Sequence, residues 1–323
     1  MGVNKKVKRR FGYKFWGKWI IVLLIFIFFG KMVRENWNQI REASFSFRFL
    51  PLLFSVFIFA LSYFVQIWAW YLITIKLKIA IPFNETLGNW FYSQLGKYLP
   101  GKVWLFLSRF YLYESKGKSK KAITIALYFE TITMVVAAGL ISLLSLPFSW
   151  KVQSFYLGHF YLWLILAFAA AFLFLHPKVL QWMINPILIF LKREPISIFM
   201  SYLDVLWVLG VCVLCWAIGG IGFYLFVDSV YSVSSRHLLF LTGALAISTT
   251  LGLAALFAPS GLGVREGVLV FLLSSIMPSS IAVILAVLTR LWVTLIEIGL
   301  IGVVYFVEKF RKRMERKSPH VST

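Results

Sequence analysis

Charge is scarce in this chain, and negative charge is scarcest. Only 14% of the 323 residues are charged, and 12 Asp and Glu stand against 33 Lys and Arg. A soluble globular protein carries roughly 25% charged residues, so composition excludes an ordinary water-soluble fold. A content of 60% hydrophobic and 18% aromatic residues instead fits surroundings of lipid. Cysteine is nearly absent. Cys212 and Cys215 share one apolar run with Val211, Val213, Leu214 and Trp216, without a nearby His or second Cys pair, so the spacing reads as helix packing rather than redox or metal chemistry. The four histidines, His159, His176, His237 and His320, are scattered and suggest no metal cluster. Hydrolase, metalloprotease, phosphate-loop and dinucleotide fingerprints are missing. No cofactor, no metal and no enzymatic activity are expected.

The excess of positive charge, a net +21, sits beside apolar runs rather than interleaved with aromatics on a polar domain. That placement indicates topology and anionic lipid, not nucleic acid. Runs long enough to cross a bilayer, about 20 apolar residues each, occupy 15–33, 49–75, 122–147, 157–176, 202–227, 237–257 and 279–306. Residues 264–277 form a shorter apolar stretch between Pro259 and Pro278, and 86–112 is amphipathic and broken by Gly and Pro. Lys5, Lys6, Lys8, Arg9 and Arg10, then Lys116, Lys118, Lys120 and Lys121, then Lys309, Arg311, Lys312, Arg313, Arg316 and Lys317 should all face the cytoplasm by the positive-inside rule. The pattern predicts an all-α polytopic membrane protein of about eight transmembrane helices with one or two broken or re-entrant helices and a two-half inverted repeat. It is read as a single integral membrane domain over 1–323, with basic cytoplasmic tails at 1–18 and 309–323. Residues 177–197 read as a cytoplasmic interfacial helix, and the expected location is the cell membrane.

Two segments violate the rules of the lipid interior. One is Tyr98-Leu99-Pro100-Gly101-Lys102-Val103-Trp104; the other is Phe257-Ala258-Pro259-Ser260-Gly261-Leu262-Gly263-Val264-Arg265-Glu266. Each runs aromatic, apolar, Pro, then Gly, then a cation, then an apolar helix. A helix broken inside a membrane strands backbone polar groups unless protein or a water-filled cavity satisfies them, and intramembrane charge marks a functional site by default. Such interrupted segments in the two halves of a chain point to a transport site. A helix opening at Pro100 puts Lys102 and Arg109 on one face beside its positive N-terminal end, a setting for a phosphate. Lys97, Lys102 and Arg109 also read as interfacial snorkelers on a helix at the membrane surface. Gly261 and Gly263 permit close approach before Arg265, and Glu266 reads as either a partner of Arg265 or a helix cap. Glu130, Arg290 and Glu297 lie inside apolar runs and read as register-holding ion pairs or as a polar track for a headgroup, two readings that ion pairing alone does not separate.

The run from Pro259 to Gly267, with Gly96-Lys-Tyr-Leu-Pro-Gly-Lys-Val-Trp104 upstream, resembles the lysylphosphatidylglycerol synthase transmembrane-region family over nearly the whole chain. The second motif is the more specific. The resemblance implies a flippase-like membrane domain, without the soluble lipid-making or glycosyltransferase domain to which relatives are fused. The expected function is movement of a phosphate-bearing lipid, a phospholipid or polyprenyl-linked glycolipid, between leaflets. Expected partners are lipids with anionic headgroups and a separate lipid-modifying enzyme, with no nucleic acid. The alternatives are a non-transporting scaffold or regulator of such an enzyme, and an intramembrane enzyme using Glu130, Glu266 or Glu297 as base.

The charge pattern makes a direct prediction. In a variant lacking Cys212 and Cys215, single cysteines at Ser119 and Ser318 should resist membrane-impermeant thiol reagents in intact cells and react after permeabilisation. Labelling of either from outside overturns the topology.

Overall fold

The structure is a computed structural model that describes residues 47–98, 103–145, 166, 169–170, 172–190, 192, 195, 198, 200–255, 261 and 263–317. Among the described residues it is helical and contains no strand. The helices are α1 (Phe49–Lys76), α2 (Phe83–Gln94) followed by a 3₁₀ turn (Leu95–Tyr98), α3 (Val103–Glu114), α4 (Lys120–Ser145), α5 (Pro177–Phe190), α6 (Tyr202–Val230), α7 (Leu238–Ala254), α8 (Val264–Leu273) and α9 (Ser279–Lys317).

Five of these stretches are long and apolar enough to cross a membrane: Phe49–Lys76, Lys120–Ser145, Tyr202–Val230, Ser235–Ala254 and Ser279–Arg311. They match five of the expected spans. The span at 15–33 lies outside the described residues and that at 157–176 largely does, so the count of eight crossings is not established. Residues 264–277 yield only the ten-residue α8, which at 1.5 Å per residue covers about 15 Å, half the hydrocarbon thickness. The 86–112 region is two twelve-residue helices, α2 and α3, each about 18 Å long and also shorter than the bilayer core.

Helices α1 and α6 form the spine, and they run antiparallel. Arg48, just before α1, pairs with Asp228 near the end of α6 at 2.5 Å. At the other end of α1, Lys76 pairs with Asp204 in the first turn of α6 at 2.7 Å. Asp204 also accepts the Ser201 N–H while Ser201 Oγ accepts the Asp204 N–H, a reciprocal cap that starts α6 there. Between the two ion pairs, small residues let the backbones approach, as membrane helix contacts require. A β-carbon on Gly222 would lie 2.9 Å from the Phe59 nitrogen, and one on Gly219 would touch Ser62. Cys215 Sγ donates to the Ser62 carbonyl, and Cys212 lies against Thr133 of α4, so both cysteines are free and packed.

α7 and α9 close the bundle. Gly220 of α6 leaves room for Thr242 of α7. Trp292 of α9 lies between Phe59 and Phe226, with ring centroids 4.5 and 4.6 Å away. The outer surface is apolar: Phe54, Phe57, Leu61, Leu291, Leu295 and Ile298 are exposed, the arrangement expected where lipid is the solvent. Gly261, just ahead of α8, occupies a demanding position. Gly261 has φ +70°, and a β-carbon there would lie 2.6 Å from the Gly252 carbonyl oxygen.

Gly261→Ala should therefore cost at least about 1–2 kcal/mol from its left-handed backbone alone, with the clash added. Gly267, inside α8, has nothing within 4 Å of a built β-carbon, so Gly267→Ala should be neutral or stabilising by up to about 1 kcal/mol. Thermal melts of the two variants in one detergent check the contrast; equal losses would refute the close approach at Gly261.

Candidate functional site

The two broken segments meet at one place. In the first, α2 gives way to a 3₁₀ turn at Leu95. Gly96 permits this: a β-carbon there would lie 2.6 Å from the Trp104 carbonyl oxygen, so the turn lies directly on the first residues of α3. The turn carries Lys97 into the bundle. In the second, α7 stops at Ala254, and ahead of α8 Gly261 and Gly263 have φ of +70° and +82°. α8 then starts with Val264, Arg265 and Glu266. A β-carbon on Gly252 would lie 2.9 Å from the Arg265 Cβ, so the base of the Arg265 side chain is fixed against α7.

Lys97 and Arg265 both line a cavity of about 300 Å³. Its other polar walls are Tyr63 and Gln66 of α1, Gln94 of α2, Thr249 and Thr250 of α7 and Glu297 of α9. Trp90, Leu105, Phe106, Trp216, Leu253 and Val293 supply apolar surface. A concave, largely apolar space with a few convergent polar groups is the usual form of a ligand site.

Three buried carboxylates surround this region, and each meets a cation from another element. Glu297, 3% exposed, accepts from Lys97 and from the Tyr63 hydroxyl. Glu266, also 3% exposed, accepts from Arg290 of α9 at 2.6 Å and from the Gly263 N–H at 2.7 Å. The second contact satisfies one of the open donors at the start of α8. Glu130 of α4 accepts from Arg109 of α3 and, at 3.1 Å, from the Trp90 indole N–H. Arg109 also donates to Ser93 Oγ at 3.1 Å, and its guanidinium lies 4.8 and 5.3 Å from the Trp70 and Trp90 ring centroids. This is a closed cluster that pins α2 and α3 to α4 and α1. Arg265 differs. Among the described residues it makes no ion pair and no side-chain hydrogen bond, and it faces the cavity.

The residues singled out in the sequence thus separate into groups. Arg265 and Glu297 line the cavity. Glu266 and Arg290 pair behind it, so the partner of Glu266 is Arg290 rather than Arg265. Arg109 and Glu130 pair in the neighbouring cluster. Gly261 and Gly263 form the turn. Lys102 lies outside the described residues. Lys97, Tyr63, Gln66 and Gln94 were not among the expected site residues. Gln66 inside the apolar run of α1 was the available signal, because a side-chain amide within lipid needs partners; Lys97 carried the same signal but fitted a snorkelling interfacial lysine.

A model of the family described as "Lysylphosphatidylglycerol synthase TM region" matches residues 15–302. None of the curated proteins matches the chain.

The pairing predicts unequal costs for two neighbouring arginine sites. Arg290→Ala strands the buried Glu266 carboxylate, and breaking a buried pair costs about 3–5 kcal/mol. Arg265→Ala removes a cation without a described partner and should cost under about 1 kcal/mol. Adding Glu266→Gln to Arg290→Ala should restore most of the loss. Melting of the four proteins in detergent checks the order; equal losses for the two arginine variants would contradict it.

Proposed function

Because the chain belongs to the lysylphosphatidylglycerol synthase TM-region family, membrane proteins related to lipid handling, we propose that it moves a phosphate-bearing lipid between leaflets. The observation that carries this is Arg265: a cation inside an apolar bundle, facing a cavity, while the buried carboxylates described around it, Glu130, Glu266 and Glu297, each meet another cation. Holding a charge in such a place is expensive, and a headgroup phosphate offsets the expense while it is bound. Lys97 lies within the same cavity, hydrogen-bonded to Glu297, and joins Arg265 when a phosphate enters. Gln66 and Gln94 add neutral hydrogen-bonding groups for the rest of the headgroup. Acyl chains stay in lipid against the apolar exterior.

The arrangement of the broken segments supports the same reading. Lys116, just after α3, pairs with Glu85 at the start of α2, and Lys120 at the start of α4 pairs with Glu114 at the end of α3 at 2.7 Å. The α2–α3 pair therefore starts and finishes on one side of the bundle, the side where α1 ends, as a re-entrant hairpin does. α7 and α8 reverse from the other side, beginning beside the end of α6. Two opposed helix pairs whose described ends carry Lys97 and Arg265 to one cavity suit an inverted-repeat transporter. In this reading the basic termini and the 116–121 segment face the cytoplasm of a cell membrane, and lipid supply or an ion gradient drives movement. A separate lipid-modifying enzyme supplies or consumes the lipid.

The test is a leaflet-exchange assay with fluorescent phospholipids in proteoliposomes. Arg265→Gln should lower the exchange rate at least tenfold while its melting temperature stays near that of the parent. Unchanged exchange by this variant would remove Arg265 from the path, and no exchange by the parent with any phospholipid would remove the transport reading.

A further inference from the structure

The buried ion pairs sort the helices around the cavity into two sets. Arg109 ties α3 to α2 through Ser93 and to α4 through Glu130. Arg290 ties α9 to α8 through Glu266. α2 and α9 face each other across the seam between the sets, and they run antiparallel. Glu297 of α9 meets Lys97, just past the end of α2, while the later Glu308 meets Tyr92 within α2. Glu297 and Glu308 are eleven residues apart on one continuous helix. That spacing is three turns and a rise of about 16 Å, so both carboxylates lie on one face of α9. The inner contact is at the cavity, which Lys97 and Glu297 both line. The outer contact lies toward the start of α2, on the side where α1 ends, which is cytoplasmic in the reading above.

The outer contact differs in kind from the inner one. The Tyr92 hydroxyl donates to Glu308 Oε2 at 3.0 Å. Glu308 Oε1 rests on Gly88, where any β-carbon would overlap it. Gly88 and Tyr92 are four residues apart on α2 and share a face, so together they make a notch and a clasp for one carboxylate. Tyr92 and Glu308 are both partly exposed. A bond from a neutral phenol at such a position exchanges with water more readily than a buried ion pair parts. We infer, resting on the transport reading above, that Gly88, Tyr92 and Glu308 form a latch across the α2–α9 seam, and that its release admits the headgroup to the cavity from the side where α1 ends. When phosphate draws Lys97 away, Glu297 keeps the Tyr63 hydroxyl, and the outer contact then holds the seam. The bare backbone at Gly88 lets the Glu308 carboxylate leave and return without threading past a side chain.

The test uses a background lacking Cys212 and Cys215. Thr249→Cys places a single thiol on the cavity wall supplied by α7. Its alkylation is followed with a small water-soluble maleimide added from the side where α1 ends, in oriented vesicles. Tyr92→Phe removes the donor and keeps the ring, and should speed alkylation at least fivefold with little change in melting temperature. Gly88→Ala, whose methyl group displaces the Glu308 carboxylate, should do the same by a separate route and decides the point if Tyr92→Phe folds poorly. In the converse experiment, Gly88→Cys/Glu308→Cys without the Thr249 change is joined by a short bifunctional thiosulfonate. The joined protein should exchange fluorescent phospholipid at least tenfold more slowly than the same protein after reduction. Unchanged alkylation in a folded latch variant, or undiminished exchange by the joined protein, overturns the latch and leaves the transport reading standing. Faster alkylation in the latch variants, with no exchange of any phospholipid by the parent, keeps the latch and overturns the transport reading.

Discussion

A carboxylate removed from water either finds a cation or gives up its charge, and the architecture around the cavity follows from that constraint. Glu130, Glu266 and Glu297 are each more than nine-tenths buried. Each is reached by a cation from a different element: Arg109 from α3, Arg290 from α9, and Lys97 from the turn after α2. The helices cannot slide or rotate past one another without stranding a charge. The pairs thus act as registration points in a bundle whose apolar surfaces, equally content against lipid or protein, supply little direction of their own. Arg265 stands outside that scheme: among the described residues it pairs with none of the three carboxylates and lines the cavity instead.

Close backbone approach is the second constraint, and it serves the first. The Lys97 turn lies directly on the start of α3 because Gly96 has no side chain, and the base of Arg265 lies on α7 because Gly252 has none. Both cations are therefore held at their roots by backbone rather than by flexible side chains. Their tips are differently occupied: that of Lys97 meets Glu297, while that of Arg265 faces the cavity. A rigid root with an adaptable tip is what the proposed binding and release of a phosphate calls for.

Much of this was legible in the sequence. The long apolar runs placed the starts of α1, α4, α6, α7 and α9 within two residues, because about 20 apolar residues in lipid have one economical conformation, while α9 continues eleven residues past its apolar run into the basic segment. The two breaks were visible because Pro and Gly are conspicuous in such surroundings. The intramembrane acids were legible as ion-pair candidates, but their partners were not. Glu266 sits next to Arg265 in sequence, yet neighbouring side chains on a helix diverge by about 100°, a consequence of 3.6 residues per turn. The carboxylate instead turns back to Gly263 N and across to Arg290. Arg109 looked suited to an anion beside Lys102, whereas the fold supplies it with Glu130 and an aromatic enclosure. Lys97 was hidden by its likeness to an interfacial lysine. Its depth depends on the fold of the α2–α3 pair, and spacing along one helix does not encode that.

The ion pairs also differ in how far apart their members lie along the chain. Arg109 and Glu130 are separated by 21 positions, and Glu266 and Arg290 by 24. Each of those pairs can close almost as soon as its second helix is made. Lys97 and Glu297 are separated by 200. At a synthesis rate of roughly 5–20 residues per second, Lys97 exists for about 10–40 s before its carboxylate has been polymerised. The segment carrying it must spend that interval at the lipid boundary or in contact with water, and it takes its final depth only when α9 arrives. The cavity is therefore among the last parts of the molecule to be assembled, completed by the same helix that closes the bundle.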